Sequence, residues 1–219
     1  LGWGYLAEFW SIYEERIETG PTEKVENLKK LLPYLLRRFE LLDDSDTVMR
    51  IAMAAIDRQY NTESVDAFCV YCAGTVPIIP VAGDDKLQKQ PWRVGKAAGA
   101  MLKRYDLNVT MYKDALYRGY FEATKGGPGY GHLHADTEYW VLEHLTAEDK
   151  KIDRIGERIK WIGWVCKSGR ANHKWDCDVY ARAAADIRGL WSLGDPTASK
   201  KEAAIPGRPV KPRPIRTKY

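Results

Sequence analysis

The order of hydrophobic segments predicts an α/β fold whose sheet is at least partly parallel. Two observations carry this. Residues 47–56 (TVMRIAMAAI) and 76–81 are short, almost wholly apolar runs, as expected of strands buried on both faces. Between them, residues 64–73 place apolar side chains at 65, 68, 69 and 72, a helical spacing. Strand, helix and strand in so short a stretch form a βαβ unit, and such a connection joins parallel strands.

The remaining elements follow in chain order. Residues 2–13 (GWGYLAEFWSIY) are dense in aromatic and β-branched side chains and predict two short strands, with a hairpin as one arrangement. Pro21-Thr22-Glu23 opens a helix with Val25, Leu28, Leu31, Leu32 and Leu35 on one face, and Pro33 kinks or restarts it. The run 47–56 ends in Asp57, and Asn61 is positioned to cap the helix after it. Residues 84–100 are polar, with Gly and Pro, and predict a loop. A strand is expected at 108–112, a helix at 114–122 and a turn-rich loop at 124–131 (TKGGPGYG). Residues 130–134 look extended, and Asp136 and Thr137 cap a helix to about Leu145. An aromatic-rich strand at 159–166, a basic loop at 167–172 and an Ala-rich helix at 172–190 complete a domain expected over 1–195.

Composition narrows the function classes. Of 219 residues, 45% are hydrophobic and 29% charged, a globular rather than a disordered balance. No apolar run approaches the ~20 residues of a membrane helix, and four cysteines are too sparse for a disulfide scaffold. Leu1 runs directly into Gly-Trp-Gly with no leader pattern, so the chain reads as a fragment. The formal charge of +4 is uneven. From Ser199 onward seven basic residues face Glu202 alone, a net +6, which leaves −2 for the rest. The Pro-, Lys- and Arg-rich segment 196–219 is expected to be a disordered tail, solvated or touching phosphates.

Few residues stand out chemically. Asp57 closes a buried strand just before a loop, where open α/β sheets place ligands, although such an acid can also cap the loop or pair with Arg58. Asp176 lies in the first turn of the last helix behind Lys167, Arg170 and Lys174; helix-start acids also complement the dipole. On that helix Asn172 and His173 share its face, whereas Asp178 points some 200° away, by the ~100° per residue of helical geometry. Two carboxylates from separate elements beside Lys and Arg suggest Mg²⁺ or Mn²⁺, since hard cations take oxygen ligands. Two such ions suit phosphodiester hydrolysis, and a third acid is then expected. Asp178 is a reserve ligand. Lys113, at a strand–helix junction, is a phosphate-contact candidate with Lys167, Arg170 and Lys174. Cys69-x-x-Cys72 lies on a predicted helix, and Cys166 and Cys177 supply no second zinc-type spacing, so the cysteines read as buried structural thiols. His132 and His134 share a strand face and read as packing residues. No G-x-x-x-x-G-K-[ST] occurs, which excludes a P-loop ATPase in this chain.

Longer stretches carry a family resemblance. Residues 163–180 (GWVCKSGRANHKWDCDVY) resemble the W-V-x-K-x-G-x-x-N-E-x-L-D-C-x-V-Y segment of lambda-type (GpA-like) phage terminase large subunits. Residues 128–148 (PGYGHLHADTEYWVLEHLTAE) are similar to that family's P-G-Y-I-H-F-P…Y-F-x-x-L-T-A-E segment. Residues 54–69 (AAIDRQYNTESVDAFC) match its A-A-I-D-S-G-x-x-T-x-x-V-x-x-F-C segment, and Gly2-Trp3-Gly4 and Trp10 fit its second and third strands. The order agrees over roughly residues 1–190.

The resemblance implies the nuclease part of a genome-packaging motor. It implies an RNase H-like mixed sheet flanked by helices, with three acids holding two Mg²⁺ or Mn²⁺ ions that cut concatemeric double-stranded DNA. Carried over by position, Asp57 is the second acid and Asp176 the third. The first lies on an opening strand upstream of Leu1. The implied partners are DNA, the terminase small subunit, the portal and the subunit's own ATPase domain, in the host cytoplasm at the procapsid, with no membrane. The chain departs from the pattern at His173, where the family has Glu, and at Val81-Ala82-Gly83, where it has an apolar residue, Lys and Gly. Two rival readings are another RNase H-like nuclease, such as a Holliday-junction resolvase, and a non-catalytic assembly module. The second would keep its partner after loss of both acids.

Overall fold

A computed structural model of the chain describes residues 1–41, 44–87 and 89–194. The expected tail, 196–219, lies outside them. The elements are β1 (Gly2–Trp3), β2 (Phe9–Trp10), α1 (Val25–Leu28), α2 (Leu32–Leu35), β3 (Arg38–Leu41), β4 (Asp44–Arg50), β5 (Ala54–Asp57) and α3 (Thr62–Cys72). They continue with β6 (Ile78–Gly83), β7 (Trp92–Ala97), β8 (Leu102–Leu107), α4 (Val109–Tyr117), β9 (Gly131–His132), α5 (Tyr139–Leu145), β10 (Glu148–Ile155), β11 (Arg158–Cys166) and α6 (His173–Arg188).

The central sheet has the order β5-β6-β8-β7. β5, β6 and β8 run parallel and β7 is antiparallel to β8. Strand alternation divides its side chains between two cores. Ala55, Ile79, Val81 and Leu107 join Leu116, Trp175 and Val179 under α4 and α6. Ala54, Ile56 and Ile78 join Val65, Phe68 and Leu28 under α3 and α1. This is a mixed α/β architecture with helices on both faces, and the expected βαβ unit is β5-α3-β6.

Three smaller sheets surround it. β1 and β2 pair antiparallel, the hairpin among the arrangements open to residues 2–13, and β9 joins β2 in parallel. Gly131 on β9 is required there, because a Cβ would meet the Phe9 ring, with Cε2 at 2.8 Å. β3–β4 and β10–β11 are separate antiparallel ribbons. Pro33 restarts the early helix as α2, sitting in its first turn where its missing N–H costs nothing.

Three expectations are corrected, and one strand comes unannounced. The run 47–56 is not one strand: it divides between β4 and β5, and Val48 and Met49 stay exposed on the ribbon. The segment 84–100 is not all loop, since its residues 92–97 (WRVGKA) form edge strand β7. Residues 108–112 are not a strand. Asn108 Oδ1 accepts from the Met111 amide at 3.0 Å and caps α4, so the strand ends one residue earlier. Strand β10 carries the charged sequence EDKKIDRI and has no apolar alternation to announce it.

Candidate active site: carboxylates around a buried lysine

β5 delivers Asp57 at the end of the parallel sheet. Its Oδ1 accepts from the Gln59 amide at 2.9 Å, turning the chain away from the sheet. Its Oδ2 accepts from the Tyr180 hydroxyl at 3.0 Å. Tyr180 lies one helical turn after Asp176 on α6, so the two side chains share a face, and that face lies against β5.

Asp176 then meets residues from two further elements. Lys113 Nζ, from α4, is 2.9 Å from Asp176 Oδ1 and 2.6 and 2.7 Å from the two oxygens of Glu148. Glu148 is the first residue of β10, and its Oε1 also accepts from Asn172 Nδ2 at 2.6 Å. Lys113 is 5% exposed and Glu148 8%, whereas Asp57 and Asp176 are half-buried. The carboxyls act on one another electrostatically. Burial pushes the Asp176 carboxyl upward; Lys113 opposes this, and the charges of Glu148 and Asp57 add to it. The Tyr180 phenol is raised by burial and by the charges of Asp57 and Asp176, so it stays a neutral donor.

The structure thus brings Asp57, Asp176 and Asn172 into one locale and adds Glu148, Lys113 and Tyr180. Among the described residues no group of three or more His, Cys, Asp or Glu is arranged to hold a metal ion; the cation between Glu148 and Asp176 is Lys113. Glu148 received no role from the sequence, although it closes the Thr146-Ala147-Glu148 stretch of the matching segment. Its isolation from the other acids in sequence hides it.

Asp178 and the lysines differ from expectation. Asp178 is buried on another face of α6, with Lys174 Nζ 2.6 Å from both its oxygens and the Tyr120 hydroxyl donating at 3.0 Å. It is therefore the partner of a buried ammonium and does not join Asp57 and Asp176. Lys174, expected on phosphate, is buried in that pair, with Ser11 Oγ at 3.4 Å. Lys113, also expected on phosphate, is turned inward to its carboxylates. Lys167 and Arg170 do lie in an exposed loop beside the site. The Lys167 amide donates to the Ala147 carbonyl at 2.8 Å, and its ammonium pairs with Asp149 at 2.9 Å. His173 is exposed and packs edge-on against His144. Cys69 and Cys72 are buried in the second core, the Cys69 thiol pushed up to about 12 by burial, as befits structural thiols. His132 bonds Glu8 at 2.6 Å and stacks on Trp10.

A mixed α/β domain with acids gathered at the end of a parallel strand has them where open α/β sheets place ligands. The chain belongs to the family of the terminase large subunit gpA endonuclease domain, whose sequence model matches residues 1–194. Membership carries a nuclease role, hydrolysis of phosphodiester bonds, in phage DNA packaging. No curated protein and no solved structure matches the chain.

Proposed function

We propose that this domain is a divalent-metal-dependent endonuclease of RNase H-like type that cuts concatemeric double-stranded DNA at packaging. The observation that carries the reading is the convergence of Asp57, Asp176 and Glu148 from β5, α6 and β10. The donor chemistry is that of the ion, since all three offer carboxylate oxygen, the ligand of Mg²⁺ and Mn²⁺, and in the present arrangement Lys113 stands between Glu148 and Asp176. Each Asp57 oxygen accepts one hydrogen bond and keeps a further lone pair. Asp57 and Asp176 retain solvent access from which substrate and ion arrive.

A divalent ion, when bound, supplies Lewis-acid polarisation of the phosphate and a more acidic water. The chain's own residues do the rest. Tyr180 fixes the rotamer of Asp57 by donating to it, and Asn172 does the same for Glu148. Lys167 and Arg170 offer positive charge to the DNA backbone without reading bases, a contribution that weakens with salt. The ATPase domain of the same subunit, the small subunit and the portal are the proposed partners, acting in the host cytoplasm at the procapsid.

The test is plasmid cleavage with Mn²⁺, Mg²⁺ or EDTA. Nicking that needs the metal and disappears in Asp57→Ala and Asp176→Ala is the expected result. Cleavage that survives both substitutions removes these acids from the mechanism.

A further inference from the structure

We propose that Arg16, His144 and His173 form a binding site for a single phosphate-type oxyanion, separate from the acid cluster. The hydrogen bonds of His144 carry the proposal. This ring is 6% exposed, and N–H groups point at both of its nitrogens: the Lys174 amide at Nδ1, 3.2 Å away, and the Arg16 guanidinium at Nε2, 3.3 Å away. A neutral imidazole has one acceptor nitrogen and one N–H, and neither the amide nor the guanidinium can turn acceptor. In either tautomer, one N–H therefore faces another. The Lys174 amide is fixed in the first turn of α6, whereas Arg16 is exposed, so Nδ1 takes the amide and the ring proton sits on Nε2, against Arg16. Burial, then the charges of Arg16 and His173, holds the pKa of the ring down and keeps it neutral. A buried N–H without an acceptor is costly. One oxygen set beside the Nε2–Nη2 pair, about 2.9 Å from each nitrogen, satisfies both donors at once.

The surroundings select the class of acceptor. Arg16 lies over the Trp140 ring at 4.3 Å, and among the described residues it has no carboxylate partner. His173 is exposed and edge-on to His144, and it opens the 16-residue α6, whose N-terminal dipole favours negative charge. The acid whose charge acts on His144 is Glu143, an exposed neighbour in α5. A water would meet the Nε2–H but leave the guanidinium uncompensated. The His144 and His173 rings stand at 73° to one another, so the three donors are not coplanar and suit a tetrahedral oxyanion better than a flat carboxylate. The site lies across the start of α6 from the acids: Asn172 reaches Glu148, whereas His173 and the Lys174 amide face His144. Inorganic phosphate and a backbone phosphate of DNA present the same oxygens to it.

The experiment is proton–nitrogen NMR of the histidine rings in the 219-residue chain, with EDTA present throughout. In phosphate-free buffer His144 should be the neutral Nε2–H tautomer. Inorganic phosphate should shift that N–H resonance to a saturable limit, and chloride at equal ionic strength should not. Arg16→Gln, at an exposed position, should weaken phosphate by roughly 10-fold or more, the loss of one charge-assisted hydrogen bond, with the His132 and His134 resonances unmoved as a check on the fold. A short DNA duplex separates the two sources. A duplex that moves the same resonance identifies the backbone phosphate; a duplex without effect, where phosphate binds, assigns the site to the free ion. An Nδ1–H tautomer of His144, no response to phosphate or duplex, or a response that Arg16→Gln leaves intact overturns the site. Asp57→Ala should leave the response unchanged, so this site and the proposed cation site stand or fall separately; a response lost in Asp57→Ala would move the anion to the acids and overturn the inference.

Discussion

Lys174→Met should destabilise the domain severely without touching cation binding. Lys174 and Asp178 are both buried, and the ammonium lies 2.6 Å from each carboxylate oxygen. Removing the lysine leaves a carboxylate that is 3% exposed, with the Tyr120 hydroxyl still donating to it. Breaking one side of a buried pair costs about 3–5 kcal/mol, because the other charge is left uncompensated. For a chain of this size each kcal/mol moves the melting temperature by roughly 2–4 °C, so a fall of about 10 °C is expected. Burial already pushes the Asp178 carboxyl upward, and without Lys174 it rises further. The folded state then holds its proton more tightly than the unfolded state, so the penalty shrinks as pH is lowered. Replacing the pair by apolar groups, in Lys174→Met/Asp178→Leu/Tyr120→Phe, should recover stability to within about 2 kcal/mol of wild type. Thermal and urea unfolding measure these differences, and Mn²⁺ titration checks the proposed cation site separately. A Lys174→Met chain as stable as wild type would refute the reasoning. So would an Asp178→Asn chain that keeps its stability and loses Mn²⁺, which would return Asp178 to the metal site.

Three further outcomes follow from other contacts. Tyr180→Phe removes the hydroxyl donated to Asp57 and should weaken Mn²⁺ binding by roughly 10- to 100-fold, the usual effect of losing a ligand-orienting group; unchanged affinity in calorimetry would free Asp57 from that constraint. Gly131→Ala drives a methyl into the Phe9 ring, which is fully buried, and should cost about 1–3 kcal/mol in urea unfolding. His144 accepts from the Lys174 amide at the start of α6 through Nδ1 at 3.2 Å, and burial, then Arg16 and His173, holds its pKa below the usual value. Its contribution is therefore complete above the unfolded value of about 6.5 and is lost as pH falls through the lower folded one. His144→Gln should flatten that part of the stability–pH curve; an unchanged slope would remove His144 as its source.

The parts of this molecule visible from the sequence are those in which side-chain period and burial agree. The β5-α3-β6 unit, Asp57 at its strand end and α6 as a helix all have that property. Helical spacing also separated Asp176 from Asp178 and put Asn172 beside Asp176, and Asn172 reaches the same cluster through Glu148. The family segments added what periodicity lacks, an order of motifs along the whole domain. What stayed hidden depends on tertiary pairing. β7 lies at an edge and the charged β10 in a ribbon, so their strand character comes from a partner rather than from their own pattern. Lys113 and Lys174 read as phosphate contacts in sequence, and only the fold reveals the buried carboxylates opposite each.

The placement of Glu148 has a mechanical side. It is the first residue of the β10–β11 ribbon and is held there by Lys113 and Asn172, while the Lys167 amide on the Ala147 carbonyl carries the pairing of the two strands one rung beyond it. Two residues farther along, Lys150 and Trp164, which face each other across the ribbon, both donate to Asp114 of α4. The ribbon is thus clamped to α4 on both strands, and Lys113 and Asp114, adjacent on that helix, tie the acid cluster and the ribbon to one support.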